Sequence, residues 1–441
     1  MFNKLFKFTQ TKLKFLYENS LLLKNLDKLI FLSILVVFLA STCLSSDVIG
    51  FVALVTTFLT LVQLFTKPNE KCEPAKYELW LLAYFMIVVI SLAGSTLFAL
   101  SLKGFMKTVT YLGFYVSVVH YLKYHKDKIP YILGTIGLCV SFESIMGILQ
   151  NFAQVEEIST WQDVSNLNPE EVMTRVYGTL KPYNPNLLGG YFVAGIPALF
   201  GLAASFLSDK HNKCGLITLA LGLLSVLTLF LTGCRGSYIG CMVIFAGIFL
   251  ISAKFLWHKY KKVFMAILAS GFAVVTAAML FVSSLRARVF SIFAMRQDSS
   301  NSFRFNVYQS SLQMFKDNWL FGIGVGNKNF REIYGLYMRT GFDALSAYNI
   351  FLETAVESGI FALIAFVVFL ILLLRDGIKF IFSSDNAKDI IFVSAAAISI
   401  CAVMVHGLVD TVFFRPQIQF VFWTMAAIIS AVIQNKKISE Q

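Results

Sequence analysis

The sequence predicts an all-α membrane protein, a polytopic bundle of about twelve transmembrane helices with a large, partly helical extracytoplasmic loop. Apolar residues make up 57% of the 441 residues and charged residues only 14%, whereas charged residues are about a quarter of a soluble protein. The mean hydropathy is +0.72. Apolar windows of roughly 17 to 25 residues, long enough to cross about 30 Å of hydrocarbon as a helix, recur along the chain. These observations exclude a soluble globule.

The apolar windows divide the chain into membrane spans and polar segments. The predicted spans are 29–45, 49–66, 79–101, 104–122, 130–150, 187–207, 214–232, 237–257, 262–284, 357–374, 388–410 and 418–434. They predict the order 1–28 (basic cytoplasmic segment), 29–150 (spans one to five), 151–186 (extracytoplasmic loop), 187–284 (spans six to nine), 285–356 (large extracytoplasmic loop), 357–434 (spans ten to twelve) and 435–441 (cytoplasmic tail). For residues 1–28, an amphipathic helix at the membrane interface and a disordered basic tail both stay open.

The net charge of +12 follows the predicted topology. Lysines cluster in the first 28 residues and in alternate short loops, at Lys123, Lys126, Lys128, Lys259, Lys261, Lys262, Lys436 and Lys437. By the positive-inside rule, both termini of this multi-pass chain are predicted to be cytoplasmic. We expect the membrane to be the cytoplasmic (inner) membrane. Contact with anionic lipid of the bilayer explains the charge without a nucleic-acid partner. The seven cysteines show no metal-ligand spacing, so we predict no disulfide, no metal and no cofactor.

The first four spans contain few ionisable groups, so we interpret them as scaffold, but the fifth contains Glu143. A carboxyl group at membrane depth is a functional candidate by default, with a structural hydrogen bond to a neighbouring helix as the alternative. The loop that follows carries Arg175 and Lys181, cations on the face that the topology rule leaves less positive. Asn186 is a candidate cap for span six.

Two arginines beyond this loop stand where an anion could bind. Arg235 lies in the tight turn Leu231–Ser237 between spans seven and eight. There its guanidinium can fork onto a phosphate or carboxylate, or it can reach lipid headgroups. Arg304 follows the capping-rich Ser300-Asn-Ser302. It is predicted to lie in the first turn of a loop helix, where backbone N–H groups favour anions.

The remaining polar residues flank the last three spans. The run Gly322-Ile-Gly-Val-Gly326 follows no strand, so it predicts close backbone packing or a hairpin and not a nucleotide site. Glu353 and Glu357 share a helix face and are either partners for basic loop residues or a catalytic pair. His406 and Asp410 are predicted to lie one helical turn apart near the outer surface. They form either a structural pair or a site of proton transfer or ligand binding.

Together these segments resemble the O-antigen ligase and polymerase superfamily, membrane proteins that move glycans from a polyprenyl diphosphate carrier. The resemblance covers about residues 143–419. It depends on Asn184-Pro-Asn186, Thr232-Gly-Cys-Arg-Gly236, Arg304, Leu320-Phe-Gly-Ile-Gly-Val-Gly-Asn327, Asn349-Ile-Phe-Leu-Glu353 and Glu357-Ser-Gly359. A closer similarity to the IctB-type branch, labelled as inorganic-carbon transporters, depends on Thr174-Arg-Val-Tyr177, Asp298–Val307, Ala344–Tyr348, His406–Asp410 and Arg415-Pro-Gln417.

The resemblance implies roles for individual residues. Arginines matching Arg235 and Arg304 are taken to hold the carrier diphosphate in the family's ligases. A histidine before the Asn-x-x-Leu-Glu segment is taken to help the acceptor attack. Here that position is Tyr348, whose ordinary pKa of about 10 suits a general base poorly. The catalytic candidates are Arg235, Arg304, Tyr348, Glu353 and Asp410. The substrate-binding candidates are Glu143, Arg175, Lys181, Asn186, Arg235, Arg304, Asn349, His406 and Arg415.

Three functions remain open at the level of sequence. The first is transfer or polymerisation of glycan from a polyprenyl-diphosphate-linked donor to a glycan or lipid acceptor at the outer face. The second is transport of bicarbonate or another anion, although no paired halves with matching broken spans are visible. The third is a non-catalytic partner in envelope assembly. We favour the first, because the long outer loops suit a lipid-linked substrate better than a small ion.

Overall fold

The computed structural model describes residues 2–68, 74–153, 175–290, 299–339 and 341–439, and the regular elements in these ranges are helices. The helices are α1 (Phe2–Asn19), α2 (Leu21–Lys24), α3 (Leu26–Cys43), α4 (Ser46–Thr66), α5 (Glu78–Gly94), α6 (Phe98–Tyr124), α7 (Ile129–Ala153), α8 (Pro185–Ser208), α9 (Asn212–Leu231), α10 (Arg235–Phe281), α11 (Ser283–Phe290), α12 (Ser299–Asp317), α13 (Asn327–Tyr334), α14 (Ile350–Ser383), α15 (Ala387–His406) and α16 (Pro416–Ser439). Short 3₁₀ turns at Lys126–Lys128 and Val412–Phe414 precede α7 and α16. The all-α prediction is confirmed. The motif residues Thr174 and Asp298 lie outside the described residues.

Nine helices in the described ranges are long and apolar enough to cross a membrane. They are Leu26–Cys43, Ser46–Thr66, Lys126–Ala153, Pro185–Ser208, Asn212–Leu231, Arg235–Ala273, Ile350–Ser383, Ala387–His406 and Pro416–Ile438. Helix α5 is shorter, at 17 residues, and α6 carries three lysines. The predicted windows 237–257 and 262–284 both lie on α10, which leaves helical geometry at Tyr260. The structure is thus a polytopic helical membrane protein, with fewer clear spans than the twelve predicted.

Three spans form the centre of the bundle. The span windows of α8, α15 and α16 are 89%, 78% and 100% buried, whereas those of α9 and α10 are only 28% and 17% buried. Helix α8 packs against α9 and α15, and α16 packs against α6 and α15. The exposed faces of α9 and α10 are apolar, with Leu216, Leu223 and Met242 outside. In a bilayer such apolar faces lie against the lipid acyl chains. Helices can be exposed to lipid in this way because their backbone groups are hydrogen-bonded within each helix.

The basic segment at the start of the chain is helical. Helix α1 packs against α4, and the Gln10 side-chain amide donates a hydrogen bond of 2.9 Å to the carbonyl of Leu64. Of the two interpretations of residues 1–28, the structure therefore favours a helix over a disordered tail.

The polar stretch between α11 and α14 folds around a small core of its own. Val307 and Met314 of α12 meet Phe330 and Tyr334 of α13 and Ile323 of the glycine-rich run. Helix α12 confirms the helix predicted from the capping residues and the apolar spacing after Ser300.

A break in α14 fixes the glycine-rich run against the bundle. Gly359 has φ 81° and ψ 176°, outside helical geometry, so the amide of Ile360 bonds to the carbonyl of Trp319 at 2.9 Å. The carbonyl of Val356 accepts from the amide of Ile323 at 3.0 Å instead. On the other side, a Cβ at Gly104 would collide with the backbone of Val325 and Gly326. The predicted close backbone packing is therefore confirmed.

Candidate functional site

Arg175, Arg235, Arg304, Asn186, His406 and Asp410 come together where several helices end, and we call this group the arginine cluster. Asn186 lies in the first turn of α8, Arg235 begins α10, and His406 ends α15. The N-terminal ends of α8 and α10 bring the positive ends of two helix dipoles to this place. Residues more than 200 positions apart in sequence are therefore collected at one place by the ends of spans.

Asp410 is the hub of the arginine cluster. Its Oδ2 accepts a hydrogen bond of 3.2 Å from Asn186 Nδ2 and lies 3.7 Å from Arg304 Nη2. Its Oδ1 accepts from the amides of Thr411 at 2.7 Å and Val412 at 3.1 Å. The residue is 4% exposed. A buried carboxylate with this many donors fixes the two neighbouring side chains in place.

Arg175 ties the segment before α8 to the turn before α10. Its Nε donates to the carbonyl of Thr232 at 2.8 Å, and its Nη2 donates to Asn186 Oδ1 at 2.5 Å. Burial lowers the pKa of Arg175, while nearby Cys234 and Asp410 raise it; a guanidinium stays charged in proteins. Gly233 has φ 62°, and a Cβ there would lie 3.1 Å from Arg175 Nε. The turn thus needs glycine for its backbone and for its fit to Arg175.

Arg235 lies close to Arg175. The residue is 9% exposed, and the two guanidinium groups interact unfavourably as like charges. Arg304 and Arg175 both interact with the carboxylate of Asp410, and Arg235 lies beside Arg175. The net charge of the arginine cluster favours an anion.

Arg304 lies in the second turn of α12 and not in the first, because the helix begins at Ser299. Its Nη1 donates to Ser300 Oγ, four residues earlier, at 2.8 Å. Its Nε is buried and has no hydrogen-bond partner among the described residues. The guanidinium lies 5.8 Å from the centroid of the Tyr348 ring, within the range of a cation–π contact. Arg304 therefore keeps a donor for a further acceptor.

Tyr348 is held by its neighbours in an unusual backbone conformation. Its φ is 52°, its ring packs edge-on against Phe303 at 5.5 Å, and its carbonyl accepts from the Tyr308 hydroxyl at 3.1 Å. Burial raises the pKa of Tyr348 to about 12, and the charge of Asp410 adds to the rise. The environment shifts the pKa of Tyr348 further from 7, so this hydroxyl is not suited to act as a base near pH 7.

Asn186, His406 and Asp410 differ in detail from the sequence predictions. The cap of α8 is Asn184, whose side chain accepts from the Asn186 amide at 2.7 Å, because Pro185 takes the first helical position. Helix α15 ends at His406, so Asp410 lies in a turn and not one helical turn further on the same helix. The two side chains are still neighbours, since their ligand atoms and the Cys234 thiol lie within 4.8 Å of one another.

Cys234 is a member of this region that the sequence did not single out. Its Sγ lies 3.8 Å from His406 Nε2. Burial by itself raises the pKa of the thiol, but the hydrogen bond and charge of His406 outweigh burial and bring the pKa to about 7. Cys234, His406 and Asp410 have the ligand types and spacing for a metal ion, but the surrounding arginines oppose a dication. Because Cys234 lies 172 residues before His406 in the sequence, no spacing rule could have joined it to His406 and Asp410.

Three other candidates have structural contacts. Glu143 accepts from Thr179 Oγ1 at 2.6 Å and from the Thr179 amide at 2.8 Å, which fastens the segment that carries Arg175. Asn349 caps α14, accepting from the amides of Phe351 and Leu352 at 2.9 and 3.0 Å. Lys181 is exposed, and its carbonyl accepts from Gln417 Nε2 at 2.8 Å.

Glu353, Glu357 and Arg415 line a cavity of about 150 Å³ together with Lys107, and we call it the charged cavity. It lies between α6, α14, α16 and the glycine-rich run. Glu353 Oε2 accepts from the Ala347 amide at 3.2 Å, and Glu357 Oε1 accepts from the Gly326 amide at 2.8 Å. Both carboxyl groups are buried.

The comparison with protein families finds that residues 220–367 match the model of the family described as O-antigen ligase. The matched segment contains Arg235, Arg304, Tyr348, Glu353 and Glu357. No curated protein matches the chain. The closer similarity to the IctB-type branch stays a prediction. The match over residues 220–367 supports the placement of this chain in the O-antigen ligase and polymerase superfamily.

Proposed function

We propose that this membrane protein transfers or polymerises glycan from a polyprenyl-diphosphate-linked donor at the outer face of the cytoplasmic membrane. The observation that carries the proposal is the arginine cluster. The cluster holds three guanidinium groups and one carboxylate, with Arg304 and Arg175 interacting with Asp410 and Arg235 with Arg175. The buried Nε of Arg304 has no partner among the described residues. A diphosphate supplies the acceptor oxygens and the negative charge that such a site lacks.

The position of the arginine cluster in the bundle supports an outer-face reaction. Helix α15 starts beside Lys126, which forms an ion pair of 2.8 Å with Asp389, and ends at His406 in the cluster. Its 20 residues rise by about 30 Å, which is the thickness of the hydrocarbon core. Lys126 belongs to the loops that the positive-inside rule puts in the cytoplasm. The cluster then lies at the opposite membrane surface, where a lipid-linked donor has its headgroup.

In the proposed reaction, an acceptor hydroxyl attacks the anomeric carbon of the donor sugar. The new carbon–oxygen bond forms as the bond between that carbon and the diphosphate oxygen breaks, and the diphosphate leaves with the electron pair. Arg175, Arg235 and Arg304 stabilise the charge that develops on the leaving group, which is usually a large term in catalysis. Asp410 orients Arg304 and Asn186.

We infer that the proton of the acceptor hydroxyl passes to a carboxylate, because Cys234 and His406 are engaged with each other. Glu143 is engaged with Thr179, and the raised pKa of Tyr348 makes its hydroxyl a poor base. Glu353 faces the charged cavity and interacts electrostatically with Asp410 and Arg415. We therefore assign the role of proton acceptor to Glu353.

Binding of a polyprenyl-diphosphate-linked glycan to the protein in nanodiscs tests the proposal. Arg235→Ala and Arg304→Ala each remove a charge-assisted hydrogen-bond donor, which is worth roughly 1.5–3 kcal/mol, so we expect binding to weaken about 10- to 150-fold at fixed salt. Arg331→Ala is the matched control, because this arginine lies on α13, is 53% exposed and pairs with Asp343. It should leave binding unchanged.

Two results would contradict the proposal. Equal losses in all three variants would mean that the donor senses general surface charge. If the wild-type protein binds no donor and instead carries bicarbonate across proteoliposomes, the arginines belong to an anion path and the protein is a transporter.

A further inference from the structure

We propose that the charged cavity binds one sugar ring of the acceptor glycan, a neutral, hydroxyl-rich ligand separate from the donor diphosphate. This inference rests on the proposed glycosyl transfer. The volume of about 150 Å³ equals that of an engineered cavity that holds benzene. The cavity therefore fits a single six-membered ring and not an oligosaccharide chain.

The charges around the cavity are balanced and held apart. Glu357 interacts electrostatically with Lys107, and Glu353 with Arg415. Within the described part of the chain, neither cation is close enough to a cavity carboxylate to form an ion pair. Carboxylates taken out of water need partners, and each glutamate has one oxygen that the backbone N–H bond leaves for a ligand. A ligand between the four groups would satisfy them together.

The kind of ligand follows from the sum of these charges. Two carboxylates and two cations cancel, so a phosphate gains little in the charged cavity, whereas the arginine cluster carries a net positive charge. Hydroxyl groups match a mixed lining, because they donate to Glu353 and Glu357 and accept from Arg415 and Lys107. The side chains of Trp423 and Tyr111 add aromatic surface to the lining. This combination fits a sugar ring, with polar edges and apolar C–H faces.

The charged cavity also adjoins the arginine cluster. Thr411 lines the cavity and directly follows Asp410, and its hydroxyl forms a hydrogen bond of 2.6 Å with Ser346, another lining residue. This hydroxyl pair separates the two sites. An acceptor ring in the cavity would therefore present a hydroxyl toward the place where the diphosphate is held.

The test measures binding of four separate probes to the protein in nanodiscs by ligand-observed magnetic resonance. The probes are glucose, galactose, N-acetylglucosamine and inorganic phosphate. We expect at least one sugar to bind wild type. Glu357→Gln and Arg415→Gln should weaken that binding at least about tenfold. Glu357→Gln keeps a carbonyl oxygen for the Gly326 amide, which guards against loss of the fold. Lys103→Gln is the control, since Lys103 is exposed on α6 one turn before Lys107 and does not line the cavity.

Donor binding, measured in the same samples, separates this inference from the proposed function. Sugar binding that is lost in both cavity variants while the lipid-linked donor still binds would support the cavity as the acceptor subsite. Displacement of the sugar by inorganic phosphate, or no sugar binding in wild type that holds the donor, would overturn the inference and leave the proposed function standing. Sugar binding without donor binding would overturn the proposed function and keep the sugar site.

Discussion

Removing the negative charge of Asp410 should destabilise the protein through the residues that the carboxylate orients. In Asp410→Asn, the retained carbonyl oxygen can still accept from the amides of Thr411 and Val412. The introduced amide group then faces Asn186 Nδ2 and Arg304 Nη2, so three donors meet. Asn186 cannot turn its amide without breaking the bond to Arg175. The substitution therefore removes the negative charge while keeping the hydrogen bonds that hold the turn at residues 410–412.

The expected loss of stability follows from the distance between Asp410 and Arg304 and from the burial of both side chains. Two unit charges separated by the 3.7 Å between Asp410 and Arg304 attract by about 4–5 kcal/mol at an effective dielectric constant of 20. Both side chains are largely buried, at 5% and 19% exposure, so little of this is screened by water. Breaking a buried pair by removing one partner costs roughly 3–5 kcal/mol. We expect Asp410→Asn to lower the free energy of unfolding by about 3 kcal/mol.

Equilibrium unfolding in mixed detergent micelles of Asp410→Asn, Arg304→Gln and the double variant gives the interaction energy as a double-mutant cycle. We expect the double variant to lose about 2–3 kcal/mol less than the sum of the two single losses. The exposed pair Arg331–Asp343 is shorter, at 2.5 Å, yet its cycle should give about 1 kcal/mol or less because water screens it. Additive losses at Asp410 and Arg304 would refute the role of Asp410 as the hub.

Three further predictions concern Cys234, Gly359 and Glu143. The pKa of Cys234 is about 7 in the folded protein against an ordinary 9.0, so the free energy of unfolding should rise as pH increases from about 7 to 9, by a few kcal/mol at most. The rise should be absent in Cys234→Ser, and an identical pH profile in both proteins would contradict it. Gly359→Ala should lower the unfolding midpoint, because φ is 81° at this residue and an added Cβ would contact the backbone of Leu320. The control Gly134→Ala lies in a helix with open space around it and should raise stability by about 0.4–1 kcal/mol. Equal shifts of the unfolding midpoint in the two variants would refute the conformational requirement at Gly359. Glu143→Ala leaves the Thr179 amide without its acceptor, while the Thr179 hydroxyl can still donate to the carbonyl of Thr42 at 2.8 Å. The substitution should cost about 1–3 kcal/mol, with a smaller loss in Glu143→Gln, so similar losses in unfolding experiments would contradict the hydrogen-bonding role.

Much of the fold could be predicted from the sequence because the bilayer imposes simple rules. Apolar windows fix the helices, and the twelve predicted windows lie largely on described helices. The number of spans could not be predicted from the windows alone, since the sequence of a long apolar stretch such as α10 does not reveal whether the chain turns back or bends at Tyr260. The break in α14 could not be read from Gly359, because the conformation depends on the backbone of residues 319–324 packing beside it.

Only some residues of the candidate site could be predicted from the sequence. Arg235 stood out by its tight turn, Arg304 by its predicted helix start and Asp410 by its spacing from His406, and all three belong to the arginine cluster. Lys181 was singled out as a cation in an outer loop, and its side chain is exposed. Cys234 and Lys107 were missed, since a small thiol in an apolar chain and a lysine within a predicted span have no periodicity that marks them. Their importance depends on helices distant in sequence.

The position of Tyr348 bears on how the chain could work without a histidine there. Its ring packs against Arg304 and Phe303, so the residue can position Arg304 without ionising. The raised pKa keeps its hydroxyl neutral at any pH near 7, which avoids a second negative charge beside Asp410. In the proposed reaction the proton acceptor lies elsewhere, and Glu353, which lines the charged cavity, takes that role. The substitution of tyrosine for histidine is therefore consistent with a site in which donor binding and proton removal are assigned to separate places, with Asp410–Thr411 as the link between them.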